Sequence, residues 1–568
     1  MSAALASPTA RDLVSEGRAA LFGGDPVTAA QIFHGLAEAD PTDHESRYWL
    51  YSALVAAAQP DAARQVLDEA RTLHAVATLR EAGADMARFQ TDKGYCAQIG
   101  LQLYAQKRMA AASVCLGRSL DVEKLSAQGL LSYGLSLQHQ GRMDEAIDVF
   151  SLAAETFPTA EVHEFLLYPL FHAQDRLARV SEEARRWGEL HAAPLTPAKP
   201  VFGNERTAKR RLRIGYVGPS FTRNQVAQFL LPVLEAHDPK AVEVFLYCAD
   251  AGAEDALPPG CKVRSIGGMP DAEVVARIRA DKIDILVDVW GHTSGSRLPV
   301  FAHRPAPVQV AWINFVQTTG LACMDYILHA DSMDVPGTEA FFTEEIRRIG
   351  PIMAPFRPPA ERPGPVPTPA LKNGYVTYGS FNNPAKLSEM TVAAWALILR
   401  ERPADRLVLK YSYFEDPVLQ RVTRARFAAY GAAPEQLEFR GHSTGADYWR
   451  EFLDIDLALD PSPCPGGTTS CDALANGVPV LTLRGEDFYS RIGVAGVLPC
   501  GLPELVAEGW DDYVQRALAL TSDLAALDAL RARVRPGFDA SPYRDEVGFT
   551  RNLEGNFRQM FACWLAKA

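Results

Sequence analysis

At 568 residues the chain has room for about three or four domains, and 48% hydrophobic with 22% charged residues is the make-up of an ordinary soluble globular protein. The formal net charge of −12 argues against general nucleic-acid binding, which relies on basic surfaces. No run approaches the roughly 20 apolar residues needed to span a bilayer, and "MSAALASPTARDLV" lacks the basic-then-apolar order of a signal peptide.

Residues 1–190 carry almost no strand pattern but do carry a 34-residue repeat. Ala29 recurs as Ala63, Phe33 as Leu67, Gly100 as Gly134, Leu101 as Leu135, Ala112 as Ala146 and Leu116 as Phe150. The clearest unit, "GLSLQHQGRMDEAIDVFSLAAETFP", reads as a helix, a tight turn at Gly141, a second helix and a closing Pro158. This resembles the tetratricopeptide repeat, whose paired helices stack because one unit cannot bury its own apolar face. The stretch 75–91 matches the repeat poorly. Such an array offers a concave surface for a polypeptide; it also serves as a packing scaffold or a homodimer contact.

A Pro-rich segment, 194–204, reads as a linker, and the basic run "ERTAKRRLR" reads as the lead into a strand. "LRIGYVG", "VEVFLYCAD", "DILVDV" and "VQVAWINF" are apolar strands alternating with helical stretches. A second Pro-rich break, "APFRPPAERPGPVPTPALKNG", precedes a restart with "YVTYGSF", "RLVLKYS", "LEFRG", "IDLALD" and "VPVLTL". Alternation of this kind predicts parallel sheets covered on both faces. The expected fold is a helical repeat domain (1–190) followed by two Rossmann-like α/β domains (200–360 and 370–568) with a cleft between them.

The strand "IDLALD" runs into "PSPCPGGTTSCDAL". A Gly-rich turn entering a helix exposes N–H groups and hydroxyls to an anion, most often a phosphate. Lys386, in "GSFNNPAKLSEM", also follows a strand and is placed to bring an ammonium to the same crevice. His292, in "DVWGHTSGSR", is a candidate base or positioning group. Asp454 and Asp456 flank a strand and are not read as metal ligands. The nine cysteines form no C-x-x-C pair, so neither a zinc site nor a disulfide framework is expected, and a reducing cytoplasm is the expected compartment.

Taken in order, "DILVDVWGHTSGSR", "HRPAPVQVAWI", "MDYIL", "GSFNNPAKLSEMTVAAWALILRERP", "LDIDLALDPSPCPGGTTSCDALANGVPVLTL", "SRIGVAGVL" and "GLPELVAEG" resemble the protein O-linked N-acetylglucosamine transferases. The resemblance implies repeats followed by a two-domain, B-type glycosyltransferase that inverts the sugar carbon without a metal or other cofactor. It implies that Lys386 contacts the donor diphosphate, that Gly466, Gly467, Thr468 and Thr469 hold it, and that Asp472 approaches the ribose. The family's His-Pro pair after the first strand is Asn224 and Gln225 here, its "GYPGTSG" loop is "NFVQTTG" with Thr318 and Thr319, and a histidine facing the nucleotide is Tyr448. The expected activity is transfer of a UDP- or CMP-linked sugar to Ser or Thr of a protein bound through the repeats, with His292 and Asn224 as acceptor-side candidates. Two alternatives stay open: a flagellin glycosyltransferase using a CMP-activated nonulosonic acid, and an inactive repeat adaptor.

Overall fold

The computed structural model describes residues 9–120, 126–172, 176–222, 224–249, 257–360 and 362–567. Residues 1–8, where a leader would begin, lie outside that description.

The first part of the chain is helical. Helices α1 (Ala10–Phe22), α2 (Pro26–Ala39), α3 (His44–Ala56) and α4 (Pro60–Glu81) form two hairpins. After the short α5 (Met86–Thr91) come two more, α6 (Lys93–Ala105) with α7 (Met109–Arg118) and α8 (Ala127–Gln138) with α9 (Met143–Thr156). The hairpins close because a small residue on one helix meets a large one on the next. A Cβ added to Gly17, Gly100 or Gly134 would lie 2.6 Å from Phe33, 2.6 Å from Leu116 or 2.4 Å from Phe150 respectively. Each hairpin turns through one left-handed residue, in register with the repeat: Gly24, Ala58, Lys107 and Gly141, with φ of 87°, 56°, 61° and 76°.

Two parallel sheets follow. The first contains β1 (Leu212–Gly218), β2 (Val242–Cys248), β3 (Lys262–Ser265), β4 (Ile285–Asp288), β5 (Val308–Ala311), β6 (Tyr326–His329) and β7 (Glu345–Arg348), in the order β3-β2-β1-β4-β5-β6-β7. Ile214 of β1 sits between Val244 of β2 and Ile285 of β4. The second contains β8 (Thr377–Ser380), β9 (Arg406–Lys410), β10 (Leu437–Arg440), β11 (Leu457–Leu459), β12 (Val480–Leu483) and β13 (Val506–Ala507), in the order β10-β9-β8-β11-β12-β13. The near-continuous apolar runs of the central strands follow from helices covering both faces.

Two connections tie these parts together. The last helix, Glu546–Ala566, returns to the first sheet unit, where Glu554 accepts from His237 Nδ1 at 2.9 Å and from the Asp238 N–H at 2.8 Å. Helix Pro417–Ala428 of the second unit packs its Val418, Val422, Ala425 and Ala428 into the core of the first helical hairpins. There Ser52 Oγ donates to the Ala425 carbonyl at 2.9 Å, and Asp416 Oδ2 accepts the Ala110 N–H at 3.0 Å. One face of the helical array is therefore occupied by the chain itself. Among the described residues no helix is long and apolar enough to cross a membrane.

The turn residues give a direct test. A side chain in the left-handed region costs roughly 1–2 kcal/mol, partly offset by glycine's larger entropy loss on folding. Lys107→Gly should raise stability by about 0.5–1 kcal/mol, and Gly141→Ala, whose Cβ would meet nothing within 4 Å, should lower it by a similar amount; thermal unfolding of both variants measures this.

Candidate active site

In each sheet the strand order reverses between two neighbouring parallel strands, β1 beside β4 and β8 beside β11. Loops leaving such a pair diverge and open a crevice at the carboxyl ends of the strands, where ligands of open α/β sheets bind. In the second sheet β8 leads through Asn382 and Asn383 to Lys386, and β11 leads into the turn 461–467. The crevice is a cavity of about 550 Å³ lined by Lys386, Gly466, Gly467, Thr468, Thr469, Tyr448 and Asp472, with Gln225 and Asn314 of the first unit opposite. That is the size range of small-molecule and cofactor sites.

The turn is held from behind. Asp460, at the end of β11, accepts the Gly466 N–H at 2.6 Å on Oδ1 and the Thr482 hydroxyl at 3.0 Å on Oδ2. Burial pushes its carboxyl up to about 6, against the pull of the Gly466 N–H and Lys386. The Ser462 carbonyl accepts from Ser388 Oγ at 2.6 Å and Thr391 Oγ1 at 2.7 Å, which fastens the turn to helix Glu389–Glu401. A Cβ on Gly466 would lie 2.4 Å from Ser470 Oγ and 2.7 Å from Thr469 Oγ1, so only glycine fits. Helix Thr468–Ala475 then begins at Gly467 without a side-chain cap, leaving its first amides free for an anion.

Lys386 reaches this turn: its Nζ donates to the Pro465 carbonyl at 2.8 Å. Burial lowers its pKa, while Cys464 and Asp460 favour the charged form. Among the described residues the ammonium has no ion pair, and one carbonyl leaves two of its three donors over. Further along the cavity Asp472 accepts the Tyr448 hydroxyl on Oδ2 at 2.7 Å, while the buried Oδ1 has no hydrogen-bond partner among the described residues. Burial pushes this carboxyl up to about 7. The site therefore presents an amine, a set of amides and one unsatisfied carboxylate oxygen, a combination that suits a phosphate group attached to a hydroxyl-bearing ring.

Of the other sequence candidates, His292, Thr318, Thr319 and Asn224 lie outside this cavity. His292 is 3% exposed and turned away from the cavity: its Nε2 pairs with the Thr319 carbonyl at 2.7 Å, and its ring packs edge-on against Trp187 and Phe315. Thr318 and Thr319 are also buried behind the wall, where both donate to the Glu344 carboxylate. Their loop is a docking seam. Gly320, in the left-handed region at φ 72°, lies so near the helical part that an added Cβ would stand 1.9 Å from the Ala184 carbonyl oxygen. Asn224 borders an adjoining compartment of about 820 Å³, but its amide is engaged: Oδ1 accepts the Val226 N–H at 3.0 Å and Nδ2 donates to the Ser220 carbonyl at 2.9 Å. Tyr448 sits among Phe381, Trp449 and Phe452 with its hydroxyl on Asp472, at the wall shared by the two compartments. Asp460 escaped sequence reasoning because an acid at the end of an apolar strand reads as a strand boundary. The available clue was its position six residues before the glycine it holds.

Comparison with known proteins places this cleft in context. Residues 138–346 and 368–553, more than half of the chain, match the family described as glycosyl transferase family 41. Over 387 residues the chain is 35% identical to a rice protein (Oryza sativa subsp. japonica) named as a probable UDP-N-acetylglucosamine–peptide N-acetylglucosaminyltransferase, SPINDLY; the match covers 66% of this chain and 42% of that one. An Arabidopsis thaliana protein named for the same activity, SEC, is 27% identical over 62% of this chain and 37% of its own length. The chain thus spans about two fifths of the length of these curated relatives. A solved structure of a mutant O-GlcNAc transferase from Thermobaculum terrenum superposes with a TM-score of 0.76 at 29% identity, covering 98% of both chains.

The raised pKa of Asp472 makes a prediction with a definite sign. The folded chain holds this proton up to about pH 7, whereas the ordinary value is 3.8. Stability contributed by the group therefore falls as pH rises through that window. Asp472→Asn should melt at a higher temperature than the wild type at pH 8, with the gain shrinking towards zero near the ordinary carboxylate range; scanning calorimetry across that range reads it.

Proposed function

The chain belongs to glycosyl transferase family 41, and we propose that it moves a sugar from a nucleoside-diphosphate donor to a Ser or Thr hydroxyl of a polypeptide. The observation that carries this reading is the meeting of Lys386 with the capless turn at Gly467 in one cavity. The relatives' printed names make UDP-N-acetylglucosamine the donor and peptide the acceptor to test first. A CMP-activated nonulosonic acid and a flagellin acceptor draw no support from those relatives. An inactive adaptor would have no use for a desolvated amine that forms no ion pair among the described residues and stands in one cavity with the uncapped start of helix Thr468–Ala475.

The chemistry follows from charge. As the bond between the anomeric carbon and the phosphate oxygen breaks, negative charge collects on the departing diphosphate. Lys386 and the amides of Gly467, Thr468 and Thr469 are fixed to receive it, with little reorganisation at the moment of reaction. Asp472 Oδ1 is free to accept a ribose hydroxyl. The acceptor oxygen forms the new bond from the opposite face of the sugar, which inverts that carbon, and its proton leaves through water or the released phosphate. This reading gives His292 and Asn224 no part in the step, since one is buried in a seam and the amide of the other is engaged within its own loop. The enzyme's contribution is thus position and electrostatics. The helical repeats, of tetratricopeptide type, serve to orient the polypeptide, using the surface that helix Pro417–Ala428 leaves open.

Substitution of the amine separates these claims from mere folding. Lys386→Ala should lower transfer at least about 100-fold, in line with the loss of one transition-state donor, without lowering the melting temperature, since a desolvated cation is removed. Intact-mass analysis of acceptor proteins, run alongside thermal shift with and without UDP, reads both. Undiminished transfer would refute the role of Lys386, and absence of any UDP-induced shift in the wild type would refute the reading of the cleft.

A further inference from the structure

We propose that Tyr168, a residue of the helical part, is a substrate-contacting residue of the transfer cavity, where its hydroxyl hydrogen-bonds the sugar being transferred. The inference rests on the glycosyl-transfer reading above and extends it to a residue outside both α/β units. Tyr168 lies in the short helix Leu167–Leu170 and lines the same 550 Å³ cavity as Lys386 and Thr468. Its ring packs against His172, with centroids 5.6 Å apart, and among the described residues its hydroxyl makes no hydrogen bond to the protein.

Its position is fixed by its neighbours. Phe171 stacks on Tyr489, another cavity residue, at 4.5 Å, and meets Phe315 of the first unit edge-on at 5.7 Å. The His172 ring lies 3.7 Å from Cys464 Sγ. Arg176 forms an ion pair with Asp487 of the second unit. These contacts pin the segment to the second unit, and His172 reaches the turn itself at Cys464, the residue just before the Pro465 carbonyl that holds Lys386. Tyr168 also lies within electrostatic reach of Cys464, Tyr411 and Tyr413, and its phenol, a donor at neutral pH in any case, has its pKa raised by burial. It thus stands at the amine end of the cavity, whereas Asp472 and Tyr448 mark the end suited to the nucleoside. What lies past the amine, beyond the diphosphate, is the sugar. A phenol that needs a partner and faces that place is suited to a sugar hydroxyl, which both accepts and donates.

The test is Tyr168→Phe in the full chain, which removes one oxygen and keeps the ring. Affinity for UDP and for UDP-N-acetylglucosamine is measured by calorimetry, with steady-state kinetics on an acceptor protein and a melting curve as the folding control. The expected result is an unchanged melting temperature, UDP affinity within about twofold of wild type, and a loss of about 2- to 10-fold in affinity for the nucleotide sugar and in kcat/KM, the range for one hydrogen bond. Equal binding and turnover in the variant would overturn the proposal while leaving the transferase reading intact. An equal loss of UDP affinity would place the contact on the diphosphate and overturn the sugar assignment. Wild-type protein that binds neither ligand would instead overturn the transferase reading on which the proposal rests. Should the variant melt early, Tyr168→His, which restores a donor on a ring, is expected to recover nucleotide-sugar affinity, and failure to do so with a normal melting curve counts against the proposal.

Discussion

A desolvated ammonium that forms no ion pair among the described residues is the constraint around which the cleft is arranged. Lys386 keeps a single bond to the Pro465 carbonyl, and burial alone would drive it toward the neutral form. Such a group is costly in a fold that needs only stability, because isolated buried charge is among the least favourable things a protein can contain. It makes sense where an anion arrives to share the site. The same logic covers Asp472, a buried carboxyl with one oxygen left over, and the first amides of helix Thr468–Ala475, which no side chain caps. Three incompletely satisfied groups converge on one cavity, and on the reading proposed above a single nucleotide would answer them together.

Holding such groups in place takes support from behind. Asp460 braces the turn through Gly466 and Thr482, the Ser462 carbonyl is fastened by Ser388 and Thr391, and Gly466 leaves no room for a side chain. The helical part adds a further wall through Phe171, His172 and Arg176. It is also gripped at its other end by helix Pro417–Ala428. The repeats are thus continuous with the active cleft in a mechanical sense. They brace the same unit that carries Lys386 and the Gly466–Gly467 turn, and the Thr318–Gly320 loop with His292 forms the seam between them and the first sheet.

Much of this could be read in the sequence. The apolar strand runs between Pro-rich breaks give two parallel sheets, because residues buried on both faces leave a local signal in the chain. The 34-residue recurrence gives the hairpins, because Gly134 and Phe150 must fit one another. Lys386 and the Gly-Gly-Thr-Thr turn stand out in the sequence for a related reason, since each directly follows an apolar strand and the turn carries its own run of small and hydroxyl residues. His292 also follows a strand, yet its partner is a carbonyl 27 residues away and its surroundings are Trp187 and Phe315. Nothing local distinguishes a histidine that enters a cleft from one that closes a seam. The place of Tyr168 in the cavity has no local signal for the same reason, as it exists only once the helical part is packed against the second unit.

The most direct test of the central claim is a crystal structure of the chain with UDP bound. The account requires the diphosphate within hydrogen-bonding distance of Lys386 Nζ and of the Thr468 and Thr469 amides, with a ribose hydroxyl on Asp472 Oδ1. A nucleotide seated elsewhere, with Lys386 still bonded only to the Pro465 carbonyl, would contradict it.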